Sequence, residues 1–194
     1  MLSQFSYDQL RLSGMQVDVG SVASHDLRGA LIGGLRIDFG YLAPHVRVLV
    51  GASYTRSRFT GNAVARFNRQ LLALVNDPDS NATIDVGRVN LSDFIADVDL
   101  QYVFNDRGPV SMQLGVGGGV HVRKGSGQAI NGTFIQDALS GVAPALNGTW
   151  GLEVALTPAW RLTGEIRGTL LSDYSTASAR VGFMYRLPAG RARP

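Results

Sequence analysis

The chain has no cysteine among its 194 residues, which excludes disulfides, thiolate metal sites and cysteine nucleophiles. Its three histidines, His25, His45 and His121, include no two at metal-ligand spacing. Lysine is almost absent, with Lys124 alone among 18 basic residues. A GC-rich genome explains most of that bias, and the forked pairing of guanidinium with carboxylates in confined space explains the remainder. Charged residues make up only 17% of the chain. The basic ones are scattered singly, so the net charge of +3 does not indicate a nucleic-acid partner. No apolar run approaches the ~18 residues of a membrane-spanning helix. Walker, nucleophile-elbow and zinc motifs are missing, and no cofactor or metal is implied. Gly115 to Gly119 superficially suggests a nucleotide loop, but it lies inside an alternating strand with no helix after it.

What the chain does have is glycine and alternation. There are 24 glycines, about 12% against a usual ~7%. Near the C-terminus Ala177, Ala179, Val181, Phe183, Tyr185 and Leu187 share one parity, while Ser178, Arg180, Gly182, Met184 and Arg186 share the other. Successive strand residues point to opposite faces, so this segment has one apolar side and one side with two full charges. The pattern recurs and predicts strands at Tyr7–Gly20, Leu27–Gly40, His45–Phe59, Val89–Phe104, Val110–Arg123, Pro144–Leu156, Arg161–Leu171 and Ala177–Leu187. In the first strand the phase breaks at Ser13-Gly14, where a β-bulge would restore it.

Connections alternate in length. Tight turns are expected at Tyr41–Pro44, Asn105–Pro109 and Thr157–Trp160, and longer loops at Ser21–Asp26, Thr60–Arg88, Lys124–Val142 and Ser172–Thr176. In the longest, Val64, Phe67, Leu71 and Leu74 recur at helical spacing, with 76–80 ending a short helix that would cap the barrel mouth. The expected fold is all-β: one eight-stranded antiparallel up-and-down barrel over 1–187, with 60–88 as its long outer loop and a tail at 188–194.

Alternation alone does not say which face is inside. Two features place the charged face there. Gly34, Gly51, Gly115, Gly117, Gly119, Gly151 and Gly182 fall on the polar face, where a crowded lumen needs small residues and a solvated strand does not. The aromatics gather at strand ends. Phe39, Tyr41, Tyr102, Phe104, Trp160, Phe183 and Tyr185 mark the short-turn rim, and Tyr54, Phe59, Phe94 and Tyr174 the other, as two membrane interfaces require. The lumen then holds Asp18, Arg36, Asp38, Arg47, Asp97, Asp99, His121, Arg123, Glu153, Arg161, Glu165, Arg167, Arg180 and Arg186. Unpaired buried ions cost several kcal/mol each, so these should pair into a bonded plug. Expected pairs are Glu165 with Arg180, Asp38 with Arg47, and Asp97 and Asp99 with Arg36, Arg167 or Arg180. A gated path in which the pairs exchange partners is the alternative use of the same residues.

The last strand carries a polar-x-Gly-x-x-hydrophobic-x-hydrophobic pattern at Arg180, Gly182, Tyr185 and Leu187. This is the signal read by the outer-membrane assembly machinery. The chain therefore resembles small eight-stranded outer-membrane proteins of the OmpA/OmpX type, with opacity-like and OmpW-like relatives, although it continues past the usual aromatic end. The resemblance implies a non-enzymatic barrel in the bacterial outer membrane. Its partners would be membrane lipid, the assembly machinery and an unidentified surface partner met through the loops. The first ten residues lack the basic and apolar segments of a signal peptide, so that segment is expected to be removed or upstream. Other readings are a small channel for ions or hydrophobic solutes, and a soluble lipocalin-like barrel. His121, Ser126 and Glu153 could form a hydrolase trio only on paper, since no compact His-x-Ser pairing occurs.

Overall fold

The computed structural model describes residues 10–74, 87–105, 108–128, 130–172 and 174–188. Eight strands close into one antiparallel barrel in chain order. They are β1 Leu10–Ala23, β2 Ala30–Ala43, β3 Val46–Arg58, β4 Asn90–Phe104, β5 Val110–Ser126, β6 Gly141–Ala155, β7 Trp160–Leu171 and β8 Ser175–Arg186. Helix α1, Gly61–Leu74, lies between β3 and β4, and α2, Phe134–Leu139, between β5 and β6. Closure is made by β1 and β8, paired from Gly14 opposite Arg186 to Ala23 opposite Ala177. The expected first-strand start at Tyr7, the helix end at 76–80 and residues 189–194 of the tail lie outside the described residues.

The phase break in β1 is real. Leu10 pairs with Gly40 but Gly14 with Asp38, so the register slips between them. A Cβ at Gly14 would stand 2.7 Å from the Tyr185 carbonyl oxygen, which keeps this position to glycine. The β2–β3 turn is tighter than expected, only Pro44-His45, because β2 runs on to Ala43; His45 is at φ 65°. Register slips between Asp38 and Tyr41, and again between Tyr41 and Ala43, bring β2 into that turn. The β6–β7 turn is held by Thr157, whose Oγ1 accepts from the Trp160 backbone N–H at 3.0 Å.

Strand ends at the long-loop rim differ most from expectation. β1 continues to Ala23, and Leu27 forms only an isolated bridge to Phe59 before β2 begins. β5 continues to Ser126 and β6 starts at Gly141, shortening the loop between them. Pro144 is tolerated inside β6 because the β7 pairing begins only at Ala145, so no ladder donor is needed on that side.

Orientation follows from exposure. Val181, Ile166 and Leu114 are 55–56% exposed, whereas Arg180 and Glu165 are 5–6% exposed. The apolar face is therefore outside and the charged face inside. Leu49, Val103 and Met184 are buried apolar exceptions nearer the short-turn rim, and two groups lie towards the other rim. Val22, Ile32 and Ile95 form an apolar layer in the lumen towards the long-loop rim. Above it, Val89, Ile130 and Ile135 are buried with Phe59, Val64 and Leu139 packed against them, joining α1 and α2 into a lid.

Candidate functional site

The most structured chemistry is in the lumen, where single parity on each strand aims side chains at the axis. Arg36 of β2 donates both Nη groups to Glu165 of β7, at 2.5 and 2.7 Å, across the barrel. This forked geometry is the strongest form of the guanidinium–carboxylate bond. Arg167, two residues along β7, reaches the Asp97 carboxylate at 2.6 Å, Asp99 beside it, and Glu165 at 3.3 Å. Arg180 of β8 lies 3.4 Å from Asp18 and 3.4 Å from the Ser53 hydroxyl. Two β7 arginine and glutamate positions thus tie β2, β4 and β7 together through the centre.

A second layer lies nearer the short-turn rim. Arg47 donates to Glu153 at 2.5 Å, to Gln101 at 2.8 Å and to Gln113. Asp38 is 3.7 Å from Arg47. Glu153 also faces Arg186 at 3.3 Å and Arg161 at 3.7 Å, and Arg161 donates to the Ser111 hydroxyl at 3.1 Å. Arg47, Gln101 and Asp99 are fully enclosed.

Space for these side chains comes from the glycines. A Cβ at Gly117 would meet the Asp99 carboxylate, one at Gly51 the Asp97 carboxylate, and one at Gly182 the Asp18 Cβ at 2.9 Å. Each glycine leaves the volume taken by an aspartate of a neighbouring strand, and Gly51 also makes room for the Arg36 stem.

Several sequence-based placements need correction. Glu165 and Arg180 are direct register partners, yet the Glu165 carboxylate goes to Arg36 and Arg167 instead. Across a narrow lumen an arginine three strands away has the better approach. Arg123 sits at the mouth over the Tyr174 ring, 5.5 Å from its centroid, and not among the lumen bonds described above. Phe59 packs into the lid, and Tyr174 borders a cavity of about 170 Å³ under it with Leu27 and Leu139. Neither joins the outer girdle. At the short-turn rim Tyr102 stacks edge-on against Phe104 and Trp160 is tilted against Tyr185, all facing out, whereas the register slip in β2 sets Tyr41 opposite the inward Arg47 and takes it out of the girdle.

Along β8, Arg180 and Gly182 face the lumen and Tyr185 faces out, half-buried. Leu187 follows the strand and donates its backbone N–H to Ser13 at 2.9 Å.

The hydrolase trio does not assemble. His121 bonds Asp93 through Nδ1 at 2.7 Å, Glu153 is held by Arg47 in the other half of the barrel, and Ser126 ends β5. Asp93 was not singled out in the sequence, although it shares parity with Asp97 and Asp99. Gln101 and Gln113 were also missed, because uncharged amides carry no pairing signal. Among the described residues no group of His, Cys, Asp and Glu is placed to hold a metal ion.

No family model matches this chain, and no curated protein matches it. Solved structures do. Neisserial surface protein A superposes with a TM-score of 0.57 at 13% identity, over 90% of this chain and 96% of that one. The outer membrane protein OprG from Pseudomonas aeruginosa superposes with a TM-score of 0.54 at 13% identity, over 93% and 99%. The fold is that of the small eight-stranded outer-membrane barrels.

Proposed function

We propose that this chain is a non-enzymatic β-barrel of the bacterial outer membrane, with a plugged lumen, serving envelope integrity and surface interaction through its outer loops. One observation carries the reading. A closed barrel presents an aliphatic band outward, flanked by aromatics, and turns its arginines and carboxylates inward. That is the arrangement a hydrocarbon surround selects and water does not. A lipocalin-like barrel needs the opposite order. Support for a plug over a small channel comes from the bonds that cross the axis in two charged layers, with an apolar layer and a lid beyond them. During insertion the assembly machinery would read Arg180, Gly182, Tyr185 and Leu187.

The test is extraction of the outer-membrane fraction followed by gel migration with and without heating. A detergent-resistant barrel changes its apparent size on heating. Planar bilayers loaded with the purified protein should stay near background conductance. Solubility without detergent would overturn the location, and reproducible large open steps would overturn the plug.

A further inference from the structure

The outward face of the barrel is almost without charge, and the exceptions are not scattered. Among the described strand residues beyond the short-turn rim, the outward cations are Arg56 and Arg58 on β3 and Lys124 on β5. All three lie at the long-loop end of one wall. Register places them in rows. Arg56 is opposite Ser92, which is opposite Lys124; one step further out, Arg58 is opposite Asn90, which is opposite Ser126. Neighbouring strands are ~4.8 Å apart, so the Arg56 and Lys124 backbones flank Ser92 at about 10 Å. Both long side chains can converge on one anion lying over Ser92.

The wall contains no opposing charge. No described outward residue of β3, β4 or β5 is a carboxylate, because Asp93, Asp97 and Asp99 all have the inward parity. Arg58 is steadied by donating Nε to the Asn90 side chain at 3.2 Å. A cleft of about 320 Å³ opens between Arg56, Ser57, Arg58 and Asn90. The opposite wall has no such feature. At the same height β6, β7, β8 and β1 present Val142, Leu146, Leu170, Ala177 and Ser21.

What lies below the cations decides the occupant. Tyr54, Phe94 and Val122 form the next outward row, and beneath them Ala52, Ala96 and Val120 form a shallow one. A soluble anion would use the cations and leave this surface unused. An amphiphile with a phosphate headgroup would use both.

We infer that the β3–β5 wall is a docking surface for a phosphate-bearing lipid of the outer leaflet, its headgroup held by Arg56, Arg58 and Lys124 and its chains lying on the rows below. This inference rests on the outer-membrane reading.

The test titrates the full folded chain, in zwitterionic detergent, with lipid A as the phosphate-bearing amphiphile, and counts bound lipid by native mass spectrometry. Each cation near an anionic lipid surface contributes enough that the double variant R56Q/K124Q should bind roughly ten- to thirtyfold more weakly. The variant R11Q removes an exposed cation at the opposite rim and should bind as the parent does. Lipid A stripped of its phosphates should bind the parent as weakly as intact lipid A binds the double variant. Equal binding by R56Q/K124Q and parent, or equal binding of the stripped lipid, would overturn the surface. Displacement of lipid A by inorganic phosphate at comparable concentration would overturn the lipid and leave a soluble-anion site. Heat-modifiable migration of each variant separates the two claims. Its loss in the parent counts against the outer-membrane reading, whereas normal migration with unchanged lipid binding counts against the docking surface alone.

Discussion

At the scale of single residues, the lumen turns on a few arginines whose removal cannot be compensated locally. Arg167 is 2% exposed and bridges Asp97 and Asp99. Substituting Arg167→Met keeps most of the volume but leaves two carboxylates buried without their counter-ion. Breaking one side of a buried pair costs ~3–5 kcal/mol. The expected outcome is a fall of that size in unfolding free energy, measured by denaturant titration of the refolded protein. Glycines give the matching steric test. A methyl at Gly117 would collide with the Asp99 carboxylate and lie 3.0 Å from the Asp99 Cα, which cannot swing away. Gly117→Ala should cost ~1–3 kcal/mol. Gly168→Ala, where nothing lies within 4 Å, should stay within about 0.5 kcal/mol on the same titration.

At the scale of elements, strand parity was legible and pairing was legible in part: Asp38 lies beside Arg47, and Asp97 and Asp99 beside Arg167, as the charge pattern suggests. Every barrel strand was readable because alternation survives along its length, and even the slip at Gly14 left a mark in the pattern. The remaining side-chain partners were hidden because register alone does not say how far an arginine reaches. Glu165 opposite Arg180 shows this: adjacency was foreseeable, but the shorter path across the axis to Arg36 was not. Helix α2 was missed since its six residues sit between strand ends that ran further than the turn chemistry suggested. The apolar layer of Val22, Ile32 and Ile95 was also hidden, because inward apolar residues break the polar rule from which orientation was argued. A depth test follows for β8. Val181 faces outward between Val19 and Gly164, in the middle of the barrel wall. Val181→Arg should cost ~2–4 kcal/mol in lipid, falling to about 0–1 kcal/mol for Ser175→Arg at the strand end. Unfolding in phospholipid vesicles measures both, and equal costs at the two depths would count against a hydrocarbon surround.

At the scale of the whole molecule, the proposed plug consists of two barriers of different chemistry in series along one axis. The inner barrier is ionic: the Arg36–Glu165 fork and the Arg167 bridge tie opposite walls, so opening it means separating charges within a narrow wall of strands. The outer barrier is apolar, built by Val89, Ile130 and Ile135 with parts of both loop helices. Series barriers make a specific claim about permeation, since removing either one leaves the other. The double variant I130S/I135S loosens the lid and admits water to the mouth but leaves the ion pairs of β2, β4 and β7 in place. Its conductance in planar bilayers should therefore remain at the background of the parent, while protease sensitivity of the β5–β6 loop rises. Discrete openings in that variant would mean that the lid alone seals the barrel and that the charged layers hydrate once water reaches them. A silent variant with a loosened loop assigns the seal to the arginines, which ties permeability to the same contacts that hold the walls together.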